Sequence, residues 1–446
     1  MSVAPKTWPK MTGRDEFQFL ADLVLKRSVG DRTVVRLHDQ HGGTTRFANN
    51  QVVQNVDTRR GTLSVTVAFD HRQGTASTTD FTAGAIQDTL ARAEQIARLS
   101  PDDPEYLPPP DQPEYLTVPT SRPETIAAGP ARRLEYVNEA IGQCRMENLT
   151  GAGIVSSSAA VVGIAASTGL FACEERTEAR FSLTVQAGDS TGWASAAHRS
   201  IDHLKIQERT LAAISKAKRG GEPRELSPGR YKVILEPAAV AGLWTWLLWM
   251  LDAKSYEKGT SPVAGKLGRL IVDKRLSLKN LPKHADLLGV GFTNEGLPST
   301  ESLWIEHGAL RQLAYDRFTA KTRKITTIPT LDAPCLTAED TDAANVRDLI
   351  KKTQRAILVT NFWYIRTVNA TDLTLTGMTR DGTFLVENGE IVSAVKNFRF
   401  HDSPLRVFNR LDACTGPAEA VTSETGKVLV PAMILDDFHF SSVTKF

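Results

Sequence analysis

The chain has 446 residues, 41% hydrophobic and 23% charged, with a formal net charge of +2. That length exceeds one ordinary domain and suits two or three, each able to bury its own core, while scattered Lys and Arg give only faint support for a nucleic-acid surface. The four cysteines, Cys144, Cys173, Cys335 and Cys414, lie far apart with no CxxC pair, which excludes a zinc ribbon or a redox motif and fits a reducing compartment.

The first ten residues hold two prolines and no apolar run of signal-peptide length, so a cytoplasmic location is expected. Apolar residues at helical spacing predict an amphipathic helix over 15–29. Four strands follow at 33–37, 44–48, 52–58 and 61–69, with Gly42-Gly43 read as a hairpin turn. A helix over 83–99 is stopped by Pro101 and the Pro108-Pro109-Pro110 run. The Pro- and Asp-rich stretch 100–123 reads as a surface crossing. Beyond it come a helix over 131–146, strands at 151–163, 162–168, 169–173 and 179–187, and a helix over 203–218.

The polar segment 219–230, with Gly220-Gly221, Pro223 and Pro228, is the best candidate boundary. It divides the chain into an N-terminal α+β domain over 1–222 and a strand-rich C-terminal domain over 223–446, an α+β fold overall. The second half opens with a strand at 231–235 and an apolar helix near 238–252. The apolar stretch from Val233 to Leu251 is interrupted by Glu236, Pro237 and Gly242 and reads as a strand then a buried helix, not a membrane span. Hairpins are expected around Glu306-His307-Gly308 and around Glu387-Asn388-Gly389-Glu390, with one more helix over 342–353. Gly259 to Lys266 is one residue too long for a phosphate loop, and Leu267 stands where such a loop needs Ser or Thr.

Six segments of the second half, in order, carry a resemblance: Ser255-Tyr256-Glu257-Lys258-Gly259-Thr260-Ser261, Gly265-Lys266-Leu267-Gly268, Phe292-Thr293-Asn294-Glu295-Gly296, Ile305-Glu306-His307-Gly308-Ala309-Leu310, the Asp381 to Ile391 hairpin, and Val428 to Met433. Their order and spacing resemble the C-terminal domain of the TldD/TldE (PmbA) metallopeptidase family, and within it the TldE type. The first half is similar only in its strand pattern near Arg46 to Gly61 and its helix-then-proline linker. The resemblance implies a heterodimer in which a TldD-like partner carries His-Glu-x-x-x-His and a Cys ligand. Two imidazoles and a thiolate hold zinc with one position open for water, and the Glu takes its proton.

Aligned on Gly259-Thr260-Ser261, the family's first His falls on Trp244, its Glu on Thr245 and its second His on Trp249. Indole offers only an N–H donor and a threonine hydroxyl is no base. Cys414 falls near the family's Cys ligand, as a possible remnant. The resemblance therefore implies no catalytic residue and no metal in this chain, zinc in the partner, and peptides or unfolded proteins as substrate, with a homodimer open for the isolated chain.

Substrate-binding candidates are Thr374 and Thr376, on a strand whose edge is expected to accept an extended peptide, together with Arg380 and Asp381 beside a Gly-rich turn. Trp244, Trp246 and Trp249 read as core packing or as a wall facing the partner's active site. His38 with His41, and His198 with His203, are pairs for which a metal role is the lesser reading; the second pair's five-residue spacing does not set both rings on one helical face. Two alternatives stay open: an independently catalytic chain using Cys414 or a histidine pair on a peptide or specialised small molecule, and a stand-alone peptide-binding module.

Overall fold

A computed structural model describes residues 10–422 and 426–444; the reading of the first nine residues falls outside them. Helix α1 (Arg14–Leu25) leads into β1 (Arg32–Ala48), β2 (Gln51–Phe69), β3 (Arg72–Thr78) and α2 (Ala83–Leu99). After the crossing come α3 (Pro123–Ile126), α4 (Pro130–Met146), β4 (Thr150–Ala166), β5 (Phe171–Ala187), β6 (Ser190–His198), a 3-10 turn at Ile201–Leu204 and α5 (Ile206–Arg219). The six strands form one antiparallel sheet ordered β3-β2-β1-β4-β5-β6.

The Gly42-Gly43 hairpin is not there. Both glycines lie inside β1, paired on one side with Thr58 and Asp57 and on the other with Ser158 and Ser157. A Cβ on Gly42 would sit 2.7 Å from Ser158 Cα, so these glycines serve close approach and not reversal. The chain turns instead at Asn49 and Asn50, both at positive φ (51° and 56°), a two-residue turn that short polar side chains tolerate. For the same reason 52–58 and 61–69 are one strand, and 151–163 and 162–168 another.

Odd-numbered β1 residues Val35 and Leu37 pack with α1 and α2, and β5 and β6 pack with α4 and α5. The even-numbered face is different. Val34, Ile164 and Ala172 meet Tyr115 of the crossing and Phe292 of the second half. The crossing has no regular structure, but it is pinned: Tyr115 Oη donates to the Gly296 carbonyl at 2.8 Å and Thr168 Oγ1 to that of Pro110 at 2.7 Å.

The second half runs β7 (Gly229–Leu235), α6 (Pro237–Leu248), α7 (Ala253–Glu257), β8 (Leu276–Asn280), β9 (Ser302–Glu306), β10 (Ala309–Leu310), α8 (Arg317–Arg323), β11 (Pro334–Ala338) and α9 (Val346–Lys351). It ends with β12 (Arg355–Asn369), β13 (Thr374–Glu387), β14 (Glu390–Ala394), β15 (Phe398–Asp402), α10 (Pro404–Val407), β16 (Leu411–Thr422) and β17 (Gly426–Val443). Eleven strands make one sheet, and β7 pairs with both β12 and β17, so β17, β15, β13, β12 and β7 form a closed ring. The apolar helix α6 packs against one face of this sheet and α9 against the other. Two-residue turns at His307-Gly308 and Asn388-Gly389, all at positive φ, close the expected hairpins. Strands β3, β6, β8, β11, β12, β15 and β16 carry no counterpart in the sequence reading.

Candidate functional site

Helix α6 begins at Pro237 directly after β7, and its first residue needs no backbone N–H. Trp244 is 1% exposed and meets Phe408 edge-on at 5.1 Å. Its indole N–H is buried without an acceptor among the described residues. Thr245 is buried beside it. Trp249, just past the helix, is 44% exposed and packs edge-on against Trp246 at 5.2 Å. The two indoles offer only N–H donors, and a neutral threonine hydroxyl is not one of the Cys, His or carboxylate donors that hold zinc. The three positions therefore do not fit a zinc site.

Cys414 is fully buried in the core that also holds Trp244. Its Sγ donates to the Asp340 carbonyl at 3.6 Å. Burial first, then the Asp342 carboxylate, pushes the thiol up to about 11, so it stays protonated and is a poor ligand and nucleophile at neutral pH. Among the described residues no three His, Cys, Asp or Glu side chains gather as a metal site. His38 and His41, three apart on β1, point to opposite faces.

His198 and His203 do meet. The end of β6 and the 3-10 turn bring their rings to 4.6 Å at 87°. His198 Nδ1 accepts the Ser200 N–H at 2.9 Å, which puts the ring proton on Nε2. Burial, then Lys427 and His203, lower its pKa and keep it neutral.

The expected free edge at Thr374 and Thr376 is corrected by the pairing. Strand β13 bonds to β12 on one side and to β15 on the other, with Thr376 opposite both Arg366 and His401. Thr376 Oγ1 also donates to the Phe400 carbonyl at 2.9 Å. The open edge is next door. Strand β12 pairs with β7 only through Val359, and beyond that point 360–369 has β13 alone as its strand partner among the described residues. Here Trp363 and Tyr364 are about half exposed, with Arg380 over the Trp363 ring at 4.3 Å and Arg366 over Tyr364 at 4.2 Å.

Asp381 sits where the two halves touch. One β12 residue, Thr360, faces two on β13, Asp381 and Gly382, a bulge that puts Asp381 at φ 57° and Gly382 at φ 136°. Gly382 must be glycine, because a Cβ would come 2.8 Å from Thr360 Oγ1. The Asp381 carboxylate is 7% exposed and accepts from Thr191 Oγ1 of β6 at 2.8 Å. Burial raises its pKa, opposed by Thr191, Arg380 and Lys216. Lys216 of α5 pairs with Glu236, ahead of α6, at 2.7 Å. Both line a cleft of about 850 Å³ with Thr360, Phe384 and Val392. The sequence reading singled out Arg380 and Asp381 and missed Trp363, Tyr364, Thr191 and Lys216. The run Asn361-Phe362-Trp363-Tyr364 was the available signal for the aromatic pair.

Three family models match consecutive parts of the chain: PmbA/TldA metallopeptidase domain 1 over 33–97, the central domain over 123–219 and the C-terminal domain over 228–442. Among solved structures, TldE from Thermococcus kodakarensis is similar at a TM-score of 0.84 and 18% identity, over 96% of this chain and 99% of that one. A Thermotoga maritima protein named as a proposed modulator of a DNA gyrase is similar at a TM-score of 0.84 and 17% identity, over 95% and 99%. No curated protein matches the chain. At these identities the structural likeness speaks to fold alone.

Proposed function

The chain belongs to the PmbA/TldD metallopeptidase family, and from that premise we propose that it is the non-catalytic, substrate-holding member of a peptidase pair. A TldD-like subunit is its partner and carries the zinc; peptides or unfolded proteins are the substrate. The observation that carries this reading is the residue set at the motif positions, where Trp244, Thr245 and Trp249 offer no ligand and no base and Cys414 is a buried thiol.

The open edge of β12 suits the holding role. An extended peptide adds to such an edge through main-chain hydrogen bonds, and Trp363 and Tyr364 supply apolar contact beside it. The work divides accordingly. This chain binds and orients the peptide, and hydrolysis belongs to the partner. Independent catalysis through Cys414 would need a thiolate that burial and Asp342 oppose.

The test is casein or peptide cleavage by the chain alone and co-expressed with a His-Glu-x-x-x-His chain from the same genome, with metal content measured in each. Cleavage is expected only for the pair, and Trp363→Ala should raise its KM roughly tenfold with kcat retained, from loss of about 1–2 kcal/mol of aromatic contact. Chelator-sensitive cleavage by the chain alone sinks the proposal.

A further inference from the structure

On the face of β1 turned toward the second half, Arg32, Val34 and Arg36 project in register, and with the proline-rich crossing and Arg317 of α8 they enclose a cleft of about 380 Å³. Three arginines line it. None forms an ion pair among the described residues, and each spends an N–H on a carbonyl oxygen: Arg32 Nη1 on its neighbour Asp31 at 2.7 Å, Arg36 Nε on Asn294 at 3.0 Å, and Arg317 Nη2 on Pro108. A guanidinium has five donors, so most remain unused. Tyr106 lines the same cleft, and its hydroxyl is buried without a hydrogen-bond partner among the described residues.

Carboxylates also line the cleft, but three already hold other partners. Asp316 accepts from Thr319 N and Oγ1, Asp103 from Glu105 N and Gln73 Nε2, and Glu105 holds Lys254. Glu295 is exposed and acts on Arg36 and Arg317 only at longer range. Struts joining the halves would need one hydrogen bond each. They do not explain why three arginines without an ion pair and a tyrosine with a partnerless hydroxyl line one cleft.

We propose that this cleft is a binding site for a small ligand bearing an oxyanion, a carboxylate or a phosphate. Guanidinium forks match either group with two parallel N–H bonds, and Tyr106 supplies a further donor. The volume suits a small metabolite and not a protein segment. The site is separate from the β12 edge and stands independently of the peptidase reading.

The full chain is titrated calorimetrically with inorganic phosphate and with succinate, against chloride at matched ionic strength. One saturable site per chain is expected, and the tighter of the two ligands identifies the headgroup. Arg36→Gln and Arg317→Gln should each weaken it about tenfold to a hundredfold, the worth of a charged hydrogen-bonded pair. Because Arg36 and Arg317 also tie the halves together, Tyr106→Phe gives a variant of unchanged shape, expected to weaken binding severalfold. No saturable binding beyond chloride, or the same affinity in Tyr106→Phe and in those arginine variants that fold, overturns the proposal.

Discussion

Replacing Gly43 with alanine should destabilise the first sheet by about 3–5 kcal/mol, the cost of breaking a buried ion pair. The added Cβ would overlap Asp57 Oδ1 and Val56 O and come within 2.6 Å of Arg133 Nη2. The Arg133 and Asp57 side chains are essentially inaccessible and pair with each other, and Arg133 also donates to Ser157 Oγ at 3.0 Å and to the Ala128 carbonyl. Making room for a methyl group displaces Asp57 and leaves a guanidinium without its counter-charge. Gly43 is not among the positive-φ residues, so its backbone conformation imposes no penalty on alanine. At an uncrowded position of compatible φ the same change would instead stabilise by about 0.4–1 kcal/mol. Gly84→Ala in α2 is the control: nothing lies within 4 Å of its Cβ, and it should stabilise by up to about 1 kcal/mol. Urea unfolding, with hydrogen exchange of peptides spanning β1 and β2, reads both variants. A Gly43→Ala protein within 1 kcal/mol of the parent would refute the close-packing argument.

Two further expectations concern the candidate site. Asp381 has a raised folded-state pKa, so the stability it contributes is fully present below its unfolded value near 3.8 and is lost as pH rises through the folded value. Asp381→Asn keeps an acceptor for Thr191 and tolerates positive φ. Its thermal midpoint should therefore gain on the parent progressively above pH 4, and a gap independent of pH would remove burial as the cause. Cys414 is fully buried with its pKa pushed up to about 11, so iodoacetamide at pH 7.5 should label it only on unfolding; native-state labelling at the rate of a free thiol would reopen its case as a nucleophile.

Some of this was legible because it is local. Helix α2 spans 83–99 as its apolar spacing and flanking prolines required. Asn388-Gly389 turns β13 into β14 because positive φ is cheap there.

What the linear order concealed were partners distant in sequence. Gly42 and Gly43 look like a turn until β4 and Arg133, about a hundred residues on, press against them. Thr374 and Thr376 look like an edge until β15 covers it, and the true edge is β12, whose neighbour β7 ends early. His198 and His203 fail a helical-face criterion, yet meet because a strand end is followed by a 3-10 turn. Arg32, Arg36, Tyr106 and Arg317 come from three separate segments and share a cleft only once the halves close on the crossing. Periodicity and turn chemistry depend on neighbours a few bonds away and can be read along the chain. Edge, interior and cleft depend on which distant surface arrives, and that the tertiary structure alone decided.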